Sequence, residues 1–274
     1  MKFRRSERLV DMTNYLLENP SRLVPLTFFA ERYGSAKSSI SEDLTIIKDT
    51  FEHRGIGSLI TVPGAAGGVK YVVRYNEREA SQFIEEMCSV MAEPGRLLPG
   101  GYLYMNDILG DPRIMNRVGR LFASAYANKE INVVMTMATK GIPIAYAVAN
   151  HLNVPVVIVR RDNKVTEGPT VSINYISGSS KRIQTMLLSK RSLEEGSKVL
   201  VVDDFMKAGG TINGMINLLE EFNATVSGIA VLMESDDTDE RLVDDYLSLL
   251  KLGEIDIKEK KIQVTKGNYF SKIK

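Results

Sequence analysis

Three amphipathic stretches and a pair of β-prone runs, followed by apolar strands alternating with helical patterns, predict an α/β chain of two domains: a small one over residues 1–74 and a larger one over residues 75–274. A length of 274 residues fits that division at roughly 150 residues per domain. The spacing of apolar residues and the signals at the segment ends predict each element in turn.

In the first domain, Leu9, Met12, Leu16 and Leu17 share one face of a helix over residues 5–17, stopped by Asn19-Pro20. Thr27 is placed to cap a short helix over residues 28–33, which Gly34 closes where a left-handed residue is wanted. Ser39 and Glu42 have the spacing of a capping box, and Ile40, Leu44, Ile47 and Phe51 continue a third helix. Residues 57–62 and 69–73 are β-prone and joined by Pro63-Gly64-Ala65-Ala66-Gly67-Gly68, a hairpin with a small tip. Three helices and a hairpin in this order make a winged helix-turn-helix. Lys37, Ser38, Ser39 and Ser41 lie at the start of the third helix and on its outer face, where short polar and cationic groups can enter a major groove. Lys2, Arg4, Arg5 and Arg8 crowd the amino terminus with cations suited to phosphate, and Ala65, Gly67 and Lys70 put the wing beside them as further DNA contacts. The same shape also serves for protein docking or dimerisation, and a charged terminus can simply be solvated.

Residues 75–99 contain a helix with Phe83, Ile84, Met87, Val90 and Met91 on one face, which ties the domains together. Leu98-Pro99-Gly100-Gly101 breaks it and introduces a strand over residues 102–105. Strands are then predicted over residues 131–138, 154–160, 198–202 and 227–233, with helices over 118–127, 142–152 and 211–222. Such alternation implies a parallel sheet flanked by helices. Ligands of these sheets sit beyond the carboxyl ends of the strands, here the loops after Ala138, Arg160 and Val202. Residues 161–190 read as a lid or hairpin around a β-like run at 170–175, or equally as a long loop.

The segment VLVVDDFMKAGGT, residues 199–211, carries the chemistry. Four apolar residues lead to Asp203 and Asp204, and a loop of Phe205, Met206, Lys207, Ala208, Gly209 and Gly210 opens a helix at Thr211. Glycines let the backbone approach a ligand, and a helix amino terminus offers unpaired N–H groups to a phosphate. Lys207 and the Thr211 hydroxyl add donors, while the aspartates can accept from ribose hydroxyls, directly or through a magnesium-bound water. The order of glycines and acids is neither that of a Walker loop nor that of a Rossmann fingerprint. Ala138-Thr139-Lys140-Gly141, also between a strand and a helix, is a second candidate anion loop; Arg160 and Arg161 end the next strand, and Tyr102 and Arg96 are candidates for the pocket edge.

The apolar-Asp-Asp-x-x-x-x-Gly-Gly-Thr pattern resembles the phosphoribosyl pyrophosphate motif of type I phosphoribosyltransferases. That resemblance implies a type I phosphoribosyltransferase-like second domain, with residues 138–141 holding pyrophosphate. Six-oxopurine enzymes of that group carry an acid or base where Lys207 stands here, and a cation cannot accept a proton from a purine nitrogen.

Taken with MKFRRSERLV, PLTFFAERY, AKSSISEDL, TVPGAAGGVKY and VVDDFMKAGGTINGM as they stand here, nearly the whole chain is similar to the purine operon repressors of Gram-positive bacteria. This resemblance implies a dimeric regulator that binds double-stranded operator DNA of purine genes and is released by phosphoribosyl pyrophosphate, alone or with magnesium. It further implies no transferase activity and allows guanine nucleotides or ppGpp as competitors; no resident metal is expected. The effector would weaken DNA binding by linkage, or compete directly for a basic pocket of Lys140, Arg160 and Lys207. An active purine phosphoribosyltransferase with an accessory domain is the alternative.

Composition fits such a regulator. Eleven Lys and Arg against eight Asp and Glu make residues 1–75 mildly basic in a chain of net charge +1. Cys88 is the only cysteine, so an intrachain disulfide is excluded, and no run approaches the ~18 apolar residues of a membrane span. MKFRRSERLV lacks the apolar core of a secretory signal, and the expected location is the cytoplasm.

Overall fold

Heptad-like apolar spacing over the first fifty residues folds them as three helices on one small core. A computed structural model describes residues 3–64, 67–163, 165–176, 182–237 and 240–273. Helix α1 (Arg5–Glu18) is followed by strand β1 (Leu23–Pro25), α2 (Leu26–Tyr33), α3 (Lys37–His53) and the hairpin β2 (Gly57–Val62) and β3 (Gly68–Val73). Met12, Leu16, Phe29, Ile40, Ile47, Phe51 and Tyr71 fill the space between them. Strand β1, which no pattern announced, pairs antiparallel with β3 and makes a three-stranded sheet in the order β1-β3-β2. This is a winged helix-turn-helix, and Gly34 takes the left-handed conformation at its turn, with φ 57° and ψ 39°.

Two predicted caps are corrected. Pro25 holds the N-cap of α2 in extended backbone, so Thr27 lies inside the helix. Ala36, extended at φ −64° and ψ 146°, is the N-cap of α3, so Ser39 and Glu42 form no capping box. The left-handed Gly34 turns the chain fast enough for α3 to begin two residues before Ser39, with the Ile40 N–H already bonded to the Ala36 carbonyl at 3.1 Å.

The second domain begins with α4 (Glu77–Met91), whose N-cap Asn76 accepts from the Arg78 and Glu79 amides. A small hairpin, β4 (Leu97–Leu98) and β5 (Tyr102–Leu103), stops short of the predicted end at 105 because Met105 is the N-cap of α5 (Asn106–Gly110). Helix α6 (Pro112–Ala125) starts well before the predicted 118, where the Asp111 carboxylate caps it and Pro112 opens it. Then follow β6 (Val133–Met137), α7 (Ile142–Leu152), β7 (Val156–Val159), the hairpin β8 (Thr170–Ile176) and β9 (Ile183–Ser189), β10 (Lys198–Met206), α8 (Gly210–Glu220), β11 (Thr225–Ser235), β12 (Leu247–Asp256), β13 (Lys261–Lys266) and α9 (Tyr269–Lys272).

Six strands form the main sheet in the order β13-β12-β11-β10-β6-β7, parallel except for the edge strand β13. Strand alternation divides the core. Val134, Leu200, Val202 and Leu232 face Phe83, Val118, Phe122 and Val148 on α4, α6 and α7. Val133, Met135, Val199 and Val201 face Ile212 and Met215 of α8 together with Tyr175 and Met186 of the β8–β9 hairpin. That hairpin resolves the reading of residues 161–190: its base is core, not a loop, with Met186 fully buried, while residues 177–180 lie outside the described residues. Strand β10 runs past the predicted Val202 because its pairing with β11 continues to Met206 opposite Glu234. Cys88 is half-buried on α4, and burial pushes its thiol pKa up. Among the described residues no helix is long and apolar enough to cross a membrane.

Candidate functional site

Strands β10 and β6 are neighbours, but their chains depart in opposite directions: β10 continues through α8 to β11 on one side, and β6 continues through α7 to β7 on the other. A crevice opens between two such departing loops at the carboxyl ends of the strands. The predicted segment 199–211 and the predicted loop 138–141 are those two loops.

Asp203 ends the buried run of β10 and is only 6% exposed. Its Oδ1 accepts from the Asp204 amide at 3.0 Å. Burial first, and the neighbouring Asp204 carboxylate second, raise the Asp203 pKa well above the usual carboxylate range, with the Arg161 charge opposing. Asp204 is also raised by burial, opposed by its hydrogen bond with Asp203 and by the charge of Lys140. Lys140 and Arg161, from the loops after β6 and β7, therefore both supply positive potential to the aspartates from the β6–β7 side of the crevice.

Gly141 shows how closely the two loops approach. A Cβ there would lie 2.0 Å from Thr136 Oγ1 and 3.2 Å from Asp203 Oδ1, so only glycine fits. Thr136 Oγ1 is buried with no hydrogen-bond partner, directly under this loop. Ala138 and Thr139 complete the turn into α7.

Beyond Met206 the chain turns through Gly209, φ 84°, into α8 at Gly210; the predicted loop from Phe205 is shorter, because Phe205 and Met206 still belong to β10. No side chain caps α8, so its first N–H groups face a cavity of about 100 Å³ lined by Asp203 and residues 205–212. An uncapped helix amino terminus with its partial positive charge is a ready anion site. Lys207 is half-exposed and pairs with Asp237 at 2.9 Å. The segment after β11 braces this loop from behind: the Leu242 amide donates to the Ala208 carbonyl at 2.9 Å, and Val243 packs on Gly209.

Other candidates are not among the residues that line this cavity. Arg160 pairs with Glu167 at 3.1 Å. Tyr102 is 69% exposed on the β4–β5 hairpin. Arg96 is corrected from pocket edge to staple: it is buried, bidentate to Asp107 at 2.9 Å, and bonded to the carbonyls of Val90 and Tyr104. Among the described residues no group of three or more His, Cys, Asp or Glu side chains could hold a metal.

In the winged helix, Lys37 and Ser38 are exposed at the start of α3, with Ser39 half-buried beside them. Arg5 and Arg8 both turn inward to Asp43 of α3, at 2.9 and 2.8 Å; the Asp43 side chain is 1% exposed, Arg8 13% and Arg5 53%. Arg5 keeps a solvent face and Arg8 does not. Lys70 is half-buried on β3 opposite Ile60, and Gly67 precedes that strand. Lys2 and Ala65 lie outside the described residues. Asp43, Asp237 and Glu167 escaped the sequence reading because an acid on a polar helix face or in a charged loop carries no spacing signal. Their partners become neighbours only in the fold.

Comparison with known proteins follows the same division. Residues 4–73 match the model of the amino-terminal domain of the bacterial purine repressor, and residues 105–265 match the phosphoribosyl transferase domain. The chain is 67% identical over 269 residues to the purine biosynthesis transcriptional repressor of Bacillus subtilis (strain 168), covering 98% of this chain and 94% of that one. It is 50% identical over 268 residues to the purine biosynthesis transcriptional activator of Lactococcus lactis subsp. lactis (strain IL1403), covering 98% and 99%. Among solved structures, the adenine phosphoribosyltransferase of Thermoanaerobacter pseudethanolicus superposes with a TM-score of 0.53 at 24% identity, over 61% of this chain and 99% of that one, a likeness of fold.

Proposed function

The chain belongs to the bacterial purine repressor family, and from that premise we propose that it represses purine biosynthesis and transport genes by binding operator DNA and releases that DNA when phosphoribosyl pyrophosphate occupies the β10–β6 crevice. The observation that carries this reading is the uncapped amino terminus of α8 beside Asp203, facing loop 138–141 across the crevice, in a chain whose other end is a winged helix. The effector's 5-phosphate would take the N–H groups of residues 209–211, its ribose hydroxyls the aspartates, and its pyrophosphate the amides of loop 138–141 with Lys140. Magnesium, where it takes part, would arrive on the pyrophosphate oxygens and share Asp203 or Asp204, since an ion that keeps several waters needs only one or two carboxylates.

The phosphoribosyltransferase fold serves here as a sensor rather than an enzyme. Lys207, tied to Asp237, stands where a base would be needed and cannot accept a proton. Guanine nucleotides or ppGpp would compete for the same phosphate cradle. Lys207 and Arg160 both have carboxylate partners, which favours linkage over direct competition for a basic pocket. The working form is a cytoplasmic homodimer, whose paired winged helices suit a two-fold operator.

Titrating phosphoribosyl pyrophosphate into the protein–operator complex, with magnesium and each common nucleobase assayed in parallel for nucleotide formation, tests the reading. Operator release without turnover is expected. Unchanged DNA binding removes the effector role, and nucleotide formation restores the enzyme. The Lactococcus relative is named an activator, so transcription from a purine promoter with and without the protein fixes the sign of regulation.

A further inference from the structure

Helix α3 ends at a left-handed glycine. The Gly55 amide, at φ +62°, bonds the Glu52 carbonyl at 3.2 Å, and the Ile56 amide bonds the Phe51 carbonyl at 2.9 Å. This stop satisfies the last turn internally; the Ile56 carbonyl also accepts from Tyr71 Oη of the same small core at 3.0 Å, and the Gly55 carbonyl faces the other domain. One side chain of the other domain donates to both. Arg120, on α6, donates from Nη2 to Ile56 O at 2.9 Å, to Gly55 O and to Arg74 O at 2.8 Å, and from Nε to Arg74 O at 3.1 Å. Its guanidinium lies over the Tyr75 ring, 4.9 Å from the centroid. A cation at the carboxyl end of a helix is favoured by the helix dipole, and a planar fork bonded to three carbonyls fixes direction as an ammonium cannot.

Arg117 and Ser124 on the same α6 face hold the adjoining Tyr75, and Asn128 just beyond the helix holds Arg74. Arg117 Nε donates to Tyr75 Oη at 3.2 Å, the Tyr75 amide donates to Ser124 Oγ at 3.1 Å, and Arg74 donates to Asn128 Oδ1 at 3.0 Å. Behind it, α6 is packed tightly on α7: a Cβ at Gly119 would lie 2.7 Å from that of Ala147, and His151 Nε2 sits 3.3 Å from both the carbonyl and the side-chain oxygen of Asn116. Helix α7 starts directly after Lys140-Gly141, the loop pressed against Asp203. Packed contacts thus run without interruption from Asp203 through Gly141, α7 and α6 to Arg120 and the end of α3.

We propose that Arg120 is the positioning residue of this repressor: it sets the recognition helix relative to the effector domain, and effector occupancy reaches DNA by shifting α7 and α6 and thereby that hold. The inference rests on the reading of the chain as an effector-released repressor. A shift of loop 138–141 moves α7 and α6 as one body, because packed interfaces resist gradual deformation, and Arg120 carries the displacement to the carboxyl end of a helix whose other end addresses the groove.

The test uses the full chain with Arg120→Met, which keeps the stem and removes the donors, and Arg120→Lys, which keeps the charge. Operator affinity is measured by fluorescence anisotropy with and without phosphoribosyl pyrophosphate, effector affinity by calorimetry without DNA, and folding by thermal melting. In Arg120→Met, effector affinity should stay within about 2-fold of the parent while the ratio of operator affinities falls by about 5-fold or more, the lower bound of ordinary coupling. Arg120→Lys should recover part of that ratio. A folded Arg120→Met with the full ratio, or with effector binding lost, overturns the proposal. If Arg120→Met does not fold, Arg120→Lys decides: a reduced ratio supports the proposal, and a full ratio or a second unfolded protein overturns it. Absence of any effector response in the unmodified protein is a different failure, that of the repressor reading itself.

Discussion

Asp203 shows at the scale of one residue how a buried carboxyl strains its own fold. A carboxyl that is 6% exposed and raised in pKa by burial is more comfortable neutral than charged. Its folded pKa lies above the ~3.9 of an unfolded chain, so its contribution to stability is complete below that value and is lost as pH rises through the folded pKa. At neutral pH this buried carboxyl therefore destabilises the protein relative to a neutral side chain in its place. Asp203→Asn should raise the melting temperature at pH 7 by about 2–4 °C, as ~1 kcal/mol does in a domain of this size, and the gain should shrink as pH is lowered toward ~4. Calorimetry of both proteins across that range checks it, and a melting temperature no higher than the parent's at pH 7 refutes it. The same substitution should abolish effector binding.

Elements are joined by residues whose partners the sequence does not announce. Arg8 ties α1 to α3 through Asp43, with the two side chains 13% and 1% exposed. Arg8→Met leaves Asp43 with the half-exposed Arg5 alone and should cost about 3 kcal/mol, whereas Arg8→Met with Asp43→Leu should regain most of it, because a buried pair removed together leaves no unpaired charge. Denaturant unfolding of the two variants distinguishes this from a purely DNA-facing Arg8, for which neither variant would move stability. The β8–β9 hairpin makes a parallel case. Met186 is fully buried against α8, so Met186→Ala should cost about 2–4 kcal/mol in the same measurement, where a detached lid would lose almost nothing. The helices with strong apolar periodicity, α1 and α3, were legible from their sequences. The caps at Thr27 and Ser39 were not, because a cap is chosen by where the preceding turn delivers the chain, and residues 234–274 carried no pattern that set β12 and β13 apart.

At the scale of the whole molecule, the proposed effector and the operator would be linked through one protein, and linkage is reciprocal. If phosphoribosyl pyrophosphate weakens operator binding by some factor, saturating operator DNA must weaken binding of phosphoribosyl pyrophosphate by the same factor. Calorimetric titration of the effector into the free protein and into the complex measures it. Equal effector affinities, alongside operator release, would contradict a two-site cycle. DNA affinity itself should fall steeply with salt, since phosphate contacts release counterions, and effector comparisons belong at one fixed ionic strength.

The segment from Val199 to Thr211 determined its succession of strand, loop and helix, though not where the strand ends, and the order of strands and helices determined the class of fold around it. Both are local: apolar alternation, a helix start and a pair of glycines depend on neighbours within a few residues along the chain. Tertiary structure alone decided which charges are committed and which are available. Arg8 went to Asp43, Arg96 to Asp107, Lys207 to Asp237 and Arg120 to the carbonyls at the end of α3. A guanidinium or ammonium has the same sequence signature whether it faces solvent, a carboxylate or a carbonyl. Its partner is set by long-range packing that brings distant residues within 3 Å, about the reach of a hydrogen bond.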